Sequence, residues 1–140
     1  MCIRDRFLKK IGALVAPGGH VVMTTPNGGY FLNRLPRFSE CSDPAQFESI
    51  QFQPNSDGHI FLLHEDEIRA LAQQAGFEVV ELRLFSNVLT CGHLKTERLL
   101  RWLPAPWIDG LERATARLPR PLQRKLLAGM AVLLKKIVRD

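Results

Sequence analysis

Four signals in a fixed order constrain this chain more than anything else in it. A helix end runs into a tight glycine turn, Ala16-Pro17-Gly18-Gly19. An apolar strand comes next, His20-Val21-Val22-Met23-Thr24-Thr25, and stops at Pro26-Asn27. Much later a helix from Glu65 ends at Gly76, and a second strand runs from Phe77 to Leu84. Helices alternating with strands in this order are expected for the closing half of an open α/β sheet. The opening half, where such sheets usually hold a nucleotide cofactor, has no counterpart among these segments. The expectation is therefore a partial α/β domain over residues 1–87.

The local chemistry supports each element. Phe7, Leu8, Ile11, Leu14 and Val15 recur at helical spacing. Gly18 and Gly19 supply backbone freedom for a reversal, and Pro17 biases Ala16 away from helix. His20–Thr25 is β-branched and nearly all apolar, the pattern of a strand buried on both faces. Pro26 cannot donate to a sheet ladder. Tyr30, Phe31 and Leu35 suggest one short helix. Glu65, Asp66 and Glu67 suit the positive end of a helix dipole, His64 stands at its cap position, and Ile68, Leu71, Ala72 and Ala75 form its apolar stripe. The strand after Gly76 alternates only in part, with Glu78, Glu81 and Arg83 on the wetter side. Ser39–Gly58 is polar and long for a connection, as binding loops and mobile insertions both are.

Charge divides the chain. Residues 1–87 carry 8 Lys/Arg against 10 Asp/Glu, whereas residues 88–140 carry 11 against 4. The basic excess belongs to a helical extension over 88–140. Leu94–Leu103 and Trp107–Leu118 read as helices bounded by prolines. Leu122–Val138 reads either as one helix or as a short helix, a break at Gly129 and a last strand near 130–138. Trp102 and Trp107, with Leu99, Leu103, Leu111, Arg98, Arg101 and Arg113, make an amphipathic basic stretch that would suit an anionic membrane surface through 94–125. An apolar stripe at helical spacing also suits a core. No aromatic-rich RNA motif is present, so nucleic acid is not favoured.

Three scattered cysteines, Cys2, Cys41 and Cys91, form neither a disulfide framework nor a metal-ligand pair, and the four histidines lack zinc spacing. No apolar run approaches the roughly 20 residues of a membrane span, and no secretory signal is visible. A cytoplasmic chain, peripheral at most to the inner face of a membrane, is the expectation. Met1–Arg6 (Met-Cys-Ile-Arg-Asp-Arg) does not fit the amphipathic pattern that starts at Phe7 and reads as a non-native leader.

Two segments carry a resemblance. Leu14-Val-Ala-Pro-Gly-Gly-His-Val-Val-Met-Thr-Thr-Pro-Asn27 resembles the entry to the fifth strand of class I S-adenosylmethionine-dependent methyltransferases. There the common pattern is Leu-Lys-Pro-Gly-Gly, four or five apolar residues, then Thr-Pro-Asn. His59-Ile-Phe-Leu-Leu-His-Glu-Asp-Glu-Ile-Arg-Ala-Leu-Ala-Gln-Gln-Ala-Gly-Phe-Glu-Val-Val-Glu81 resembles the later helix, Ala-Gly-Phe and sixth strand. The Thr-Pro-Asn and His variant is similar to the ubiquinone-biosynthesis O-methyltransferase branch. The resemblance implies the C-terminal part of a Rossmann-like doubly wound sheet. It also implies a parent enzyme that methylates a small-molecule, glycan or lipid precursor, chiefly at oxygen. The family's cofactor elements, a glycine turn after the first strand and an acidic residue closing the second, are not found in this sequence. The fragment is therefore expected to be inactive alone and to retain no S-adenosylmethionine-binding residues.

Ligands of open α/β sheets sit outside the carboxyl ends of the strands. Thr25 and Asn27 occupy such an end and are candidate substrate-binding residues; Asn27 equally suits a turn before Gly28-Gly29. His59, ending the long loop, is a candidate general base, and its alternative is a packing or capping role. His64 reads as a helix-start residue and His20 as structural. Two rival readings remain open. One is a non-catalytic membrane-peripheral or protein-binding module using the basic tail. The other is a different α/β enzyme such as a nucleotide-sugar reductase.

Overall fold

The computed structural model describes residues 3–41, 49, 59, 61–87, 89–90 and 96–138. In chain order the described elements are α1 (Ile3–Leu14), β1 (His20–Pro26), a 3-10 turn (Phe38–Glu40) and α2 (Glu65–Gln74). They continue with β2 (Phe77–Asn87), α3 (Glu97–Leu100), α4 (Ala105–Ala116), α5 (Arg120–Leu126) and β3 (Leu127–Lys136). The three strands form one sheet in the order β1-β3-β2. Both β1 and β2 pair antiparallel with β3, so they run in the same direction on either side of it. This mixed α/β arrangement is compatible with part of a Rossmann-like methyltransferase fold.

The last segment takes the second of its two expected forms, a short helix followed by a strand, but the strand begins at Leu127 and Gly129 does not interrupt it. Pro119 and Pro121 bracket the start of α5, and the chain turns extended at Leu127. Gly129 lies inside β3 opposite both Pro26 and Phe85. A Cβ there would lie 2.7 Å from the Phe85 ring, so the glycine admits that ring across the strand instead of breaking it. The β3 core positions Met130, Val132 and Leu134 are fully buried.

One face of the sheet carries α1 and α2. Leu8 of α1, Ile68, Leu71 and Ala72 of α2, and Phe77, Leu82, Leu84, Met130, Val132 and Leu134 of the sheet form the core. Two glycines close the turns from left-handed backbone, Gly18 at φ +72° and Gly76 at φ +80°. The partial alternation of β2 has a cause: the register with β3 shifts between Val79 and Glu81. This bulge inserts Val80 and changes the strand's phase. Phe77 and Val79 face the core before it, Leu82 and Leu84 after it, and Val80 is left half-exposed.

Three expectations are corrected. His20–Thr25 is not buried on both faces: Val21 and Met23 pack on the core, but His20 and Thr24 are exposed and Val22 is 71% exposed. Among the described residues nothing packs over that face of β1, and β1 is an edge strand. Tyr30, Phe31 and Leu35 lie in turns, and the short helical turn falls later, at Phe38–Glu40. Of the helix expected over Leu94–Leu103, the described residues 96–103 show the single turn Glu97–Leu100. Most of Ser39–Gly58, together with Cys2, Cys91 and His93, lies outside the described residues, and α1 begins at Ile3.

The basic extension runs along the free edge of β2. Arg120 donates to the Leu82 carbonyl at 3.2 Å, and Glu112 accepts the Asn87 N–H at 3.0 Å. Both bonds satisfy backbone groups that no strand pairs with on that side. Among the described residues no helix is long and apolar enough to cross a membrane.

Candidate functional site

The register fixes where ligands would gather. Pro26 of β1 and Phe85 of β2 both stand opposite Gly129, so the carboxyl ends of the two co-directional strands open at one edge of the sheet. Two hollows flank this edge. One, of about 370 Å³, is lined by Asn27, Gly29, Arg37, His64, Glu65, Asp66 and Arg124. The other, of about 350 Å³, is lined by Thr24, Thr25, Pro26, Phe85, Ser86, Ala128 and Gly129. The first lies at the start of α2 and the second toward the face that carries Phe85. Ser86 has φ +67°, a left-handed conformation that is uncommon and costly for a residue with a Cβ.

Asn27 holds the edge together. Its Nδ2 donates to the carbonyls of Arg124 at 2.8 Å and Leu127 at 2.7 Å, while its Oδ1 accepts the Gly29 N–H at 2.9 Å. Its own N–H donates to the Ala128 carbonyl at 2.8 Å. The side chain is 1% exposed. Both amide hydrogens therefore face the α5–β3 junction, a hundred residues away in sequence, and the loop after β1 is tied to the end of α5. Gly28 makes a second tie, donating to the Leu63 carbonyl at 2.9 Å. A Cβ on Gly28 would lie 2.8 Å from the Leu62 carbonyl oxygen, so only glycine allows this approach.

Charge in the first hollow is matched. Arg37 donates to Asp66 and lies 3.7 Å from Glu67. Glu65, nearly buried, pairs with Arg124 at 3.2 Å and Arg120 at 3.3 Å. Glu67 is buried and aims its carboxylate backward. Oε1 accepts the N–H and the hydroxyl of Ser39, each at 2.8 Å, and Oε2 accepts the His64 N–H at 2.7 Å. Burial pushes the Glu67 carboxyl up. The N–H groups of Ser39 and His64, the Ser39 hydroxyl and the His64 charge outweigh it and hold Glu67 below its ordinary value. Asp66 is also lowered. Slight burial raises it, but its own backbone N–H, the Arg37 guanidinium and the Glu67 N–H prevail. The hollow thus presents arginine donors beside carboxylate acceptors, the mixture that hydroxyl-bearing ligands engage.

The sequence candidates separate. Thr25 lines the second hollow and Asn27 the wall of the first. His59 is half-buried and lies in neither lining, whereas His64, read as a helix-start residue, caps α2 and lines the first hollow. His20 is exposed at the start of β1. Arg37, Arg124 and Ser86 carry no signal in the sequence. The three consecutive acids at Glu65–Glu67, set against a strongly basic tail, are the only hint of the Glu65–Arg124 pairing. Among the described residues no three His, Cys, Asp or Glu side chains are placed to hold a metal.

The same geometry bears on a dinucleotide-like cofactor. Gly28-Gly29 is the one glycine pair directly after a strand, and a cofactor turn would expose its backbone to a ligand. Here Gly28 is packed against Leu62–His64, and Gly29 faces the Arg124 carbonyl. The Gly28-Gly29 backbone is therefore occupied by the protein's own packing.

Fold and site together define a mixed α/β sheet compatible with part of a Rossmann-like fold, with two hollows at the carboxyl ends of β1 and β2. A family model for a methyltransferase domain matches residues 5–82, more than half of the chain. The chain belongs to that methyltransferase-domain family, whose members typically use S-adenosylmethionine. No curated protein matches it.

Proposed function

We propose that the chain forms the acceptor-side portion of an S-adenosylmethionine-dependent methyltransferase of the ubiquinone-biosynthesis O-methyltransferase branch. The acceptor is a hydroxylated small molecule, glycan or lipid precursor, methylated at oxygen. The observation that carries this reading is the polar hollow beside the carboxyl end of β1, where Arg37 pairs with Asp66 and Arg124 with Glu65, and His64 shares the lining. Donors beside acceptors orient hydroxyl groups, and orientation is most of what an enzyme contributes to such a transfer. Thr25 supplies a hydroxyl on the neighbouring hollow, and Asn27 acts by shaping the loop between the two. His59 is retained as the candidate base, with His64 its competitor by position.

On this reading the residues that grip the methyl donor belong to sequence outside these 140 residues. The test is equilibrium binding of methyl-labelled S-adenosylmethionine to the full chain, then transfer to a panel of phenols, sugars and polyprenylated phenols. Weak binding without transfer is expected of the chain alone. Tight stoichiometric binding would overturn the fragment reading, and transfer only to nitrogen or carbon would overturn O-methylation.

A further inference from the structure

Helix α4 has two faces of different character. Ile108, Leu111, Glu112 and Thr115 recur at helical spacing, are half-buried and turn inward toward β2. The opposite face carries Trp107, Gly110, Arg113, Ala114 and Arg117, all exposed. The apolar stripe that a globular core requires is therefore already provided by the inner face. Trp107, at 71% exposure, is not part of it, and Trp102, in the turn just before α4, is 88% exposed. A Cβ on Gly110 meets nothing within 4 Å, so the surface between Trp107 and Arg117 is open. Tryptophan is normally among the most buried side chains on average. These two are the chain's only tryptophans, five residues apart, and both stand in solvent.

Charge says what covers it. Arg98, Arg113 and Arg117, from the same stretch of chain as the two indoles, are exposed. Over residues 96–125 there are seven Lys/Arg against three Asp/Glu. Of those acids, Glu112 is turned to the Asn87 N–H and Thr90. An indole prefers the headgroup level of a bilayer, where its ring is buried and its N–H stays hydrated, and flanking arginines add attraction to anionic lipid. Two bare tryptophans in a stretch with exposed arginines fit that boundary. A protein partner of the same apolar character would not require the excess of positive charge.

We propose that Trp102, Trp107 and the arginines Arg98, Arg113 and Arg117 form a docking surface for an anionic bilayer. Position gives the surface a use. Glu112, on the inner face of the same helix, holds the last residue of β2, so α4 is anchored at the carboxyl edge where the two hollows open. Docking there brings that edge to the lipid surface. Within the proposed methyltransferase activity, on which this last step alone rests, it favours acceptors that carry a lipid tail.

The two tryptophans make the test direct, because all tryptophan fluorescence of the chain comes from this surface. The full chain is titrated with vesicles of phosphatidylcholine, with and without phosphatidylglycerol, and no methyl donor is present. Expected are a blue shift and co-sedimentation with phosphatidylglycerol vesicles only, both falling as salt is raised. Replacing Arg98, Arg113 and Arg117 together by Gln is expected to weaken binding on the order of a hundredfold, at about fivefold per arginine. W102A/W107A is expected to abolish it while far-UV circular dichroism is unchanged. Absence of binding at low salt, equal binding to neutral vesicles, or a W102A/W107A variant that binds like the parent would overturn the proposal. So would fluorescence already blue-shifted without lipid in a self-associated chain. None of these outcomes bears on methyl transfer, so the enzyme reading survives or fails separately.

Discussion

The Glu67 carboxylate reaches 28 residues back along the chain to accept both the N–H and the hydroxyl of Ser39 at 2.8 Å. Its other oxygen holds the His64 N–H, as the acid of a capping box does. One buried side chain thus closes α2 and pins the 3-10 turn that follows Arg37. Removing it leaves two backbone donors and a hydroxyl without an acceptor. Glu67→Ala is expected to cost about 2–3 kcal/mol, because three partly buried hydrogen bonds to a carboxylate are lost together, and Ser39→Ala about 1 kcal/mol. Urea denaturation of the two variants checks the ranking. Equal midpoints for Glu67→Ala and the parent would show that this bond set contributes nothing.

The same carboxylate sets the acid limit. Glu67 is held below its ordinary value of 4.5, and Asp66 below 3.8. A depressed carboxylate contributes stability that is fully present above the unfolded pKa and is lost as pH falls through the folded one. The thermal midpoint should therefore be level above about pH 5 as far as these groups are concerned, and should decline on further acidification. Asp66 is largely exposed, so solvent screens its share. The decline should track Glu67, and Glu67→Gln should flatten it. A variant with the parent's full acid slope would assign the transition to other carboxylates.

Legibility from the sequence depends on the range of the interactions. Gly76 as a left-handed stop, Pro26 as a strand end and the acids of α2 are local effects, and local chemistry is written in neighbouring residues. The bulge at Val80 is half visible, as an alternation that loses its phase. What stays hidden depends on partners far along the chain. Whether Leu122–Val138 is helix or strand is decided by a slot between β1 and β2, not by propensity. The apolar run of β1 implies two covered faces, yet only one is covered among the described residues. As sequence, Asn27 is equally suited to a ligand or a turn. Its partners, the carbonyls of Arg124 and Leu127, make it a brace.

That brace gives a third prediction. Asn27→Ala removes two donors and one acceptor from a buried site and is expected to cost about 2–3 kcal/mol. Asn27→Asp is expected to be worse, although it is nearly the same shape, because a carboxylate would face two carbonyl oxygens with no proton to offer. A residue that merely touched ligand would show the opposite pattern, with fold stability unaffected by either change. Thermal denaturation of both variants separates the two roles, and an Asn27→Asp chain as stable as the parent would rule the brace out.

Two glycines of the ligand edge should respond differently to the same methyl group. At Gly28 a Cβ would meet the Leu62 carbonyl oxygen at 2.8 Å and the Leu63 carbonyl carbon at 2.9 Å, besides the His64 ring at 2.6 Å. Backbone cannot rotate away, so Gly28→Ala must push the loop after β1 off the start of α2. It would also strain the Gly28–Leu63 hydrogen bond. At Gly129 the obstacle is the Phe85 ring at 2.7 Å, a side chain that is partly exposed and can change rotamer. Gly28→Ala is therefore expected to destabilise by about 2–3 kcal/mol, within the range of overpacking, and Gly129→Ala by about 1 kcal/mol. Phe85→Ala should relieve the second and leave the first untouched, since the two sites share no partner. A double-mutant cycle on denaturation midpoints checks it: coupling of Phe85→Ala to Gly129→Ala but not to Gly28→Ala is the expected result. Coupling to both would mean that the two hollows move as one body, so that a ligand seated in either would be felt in the other.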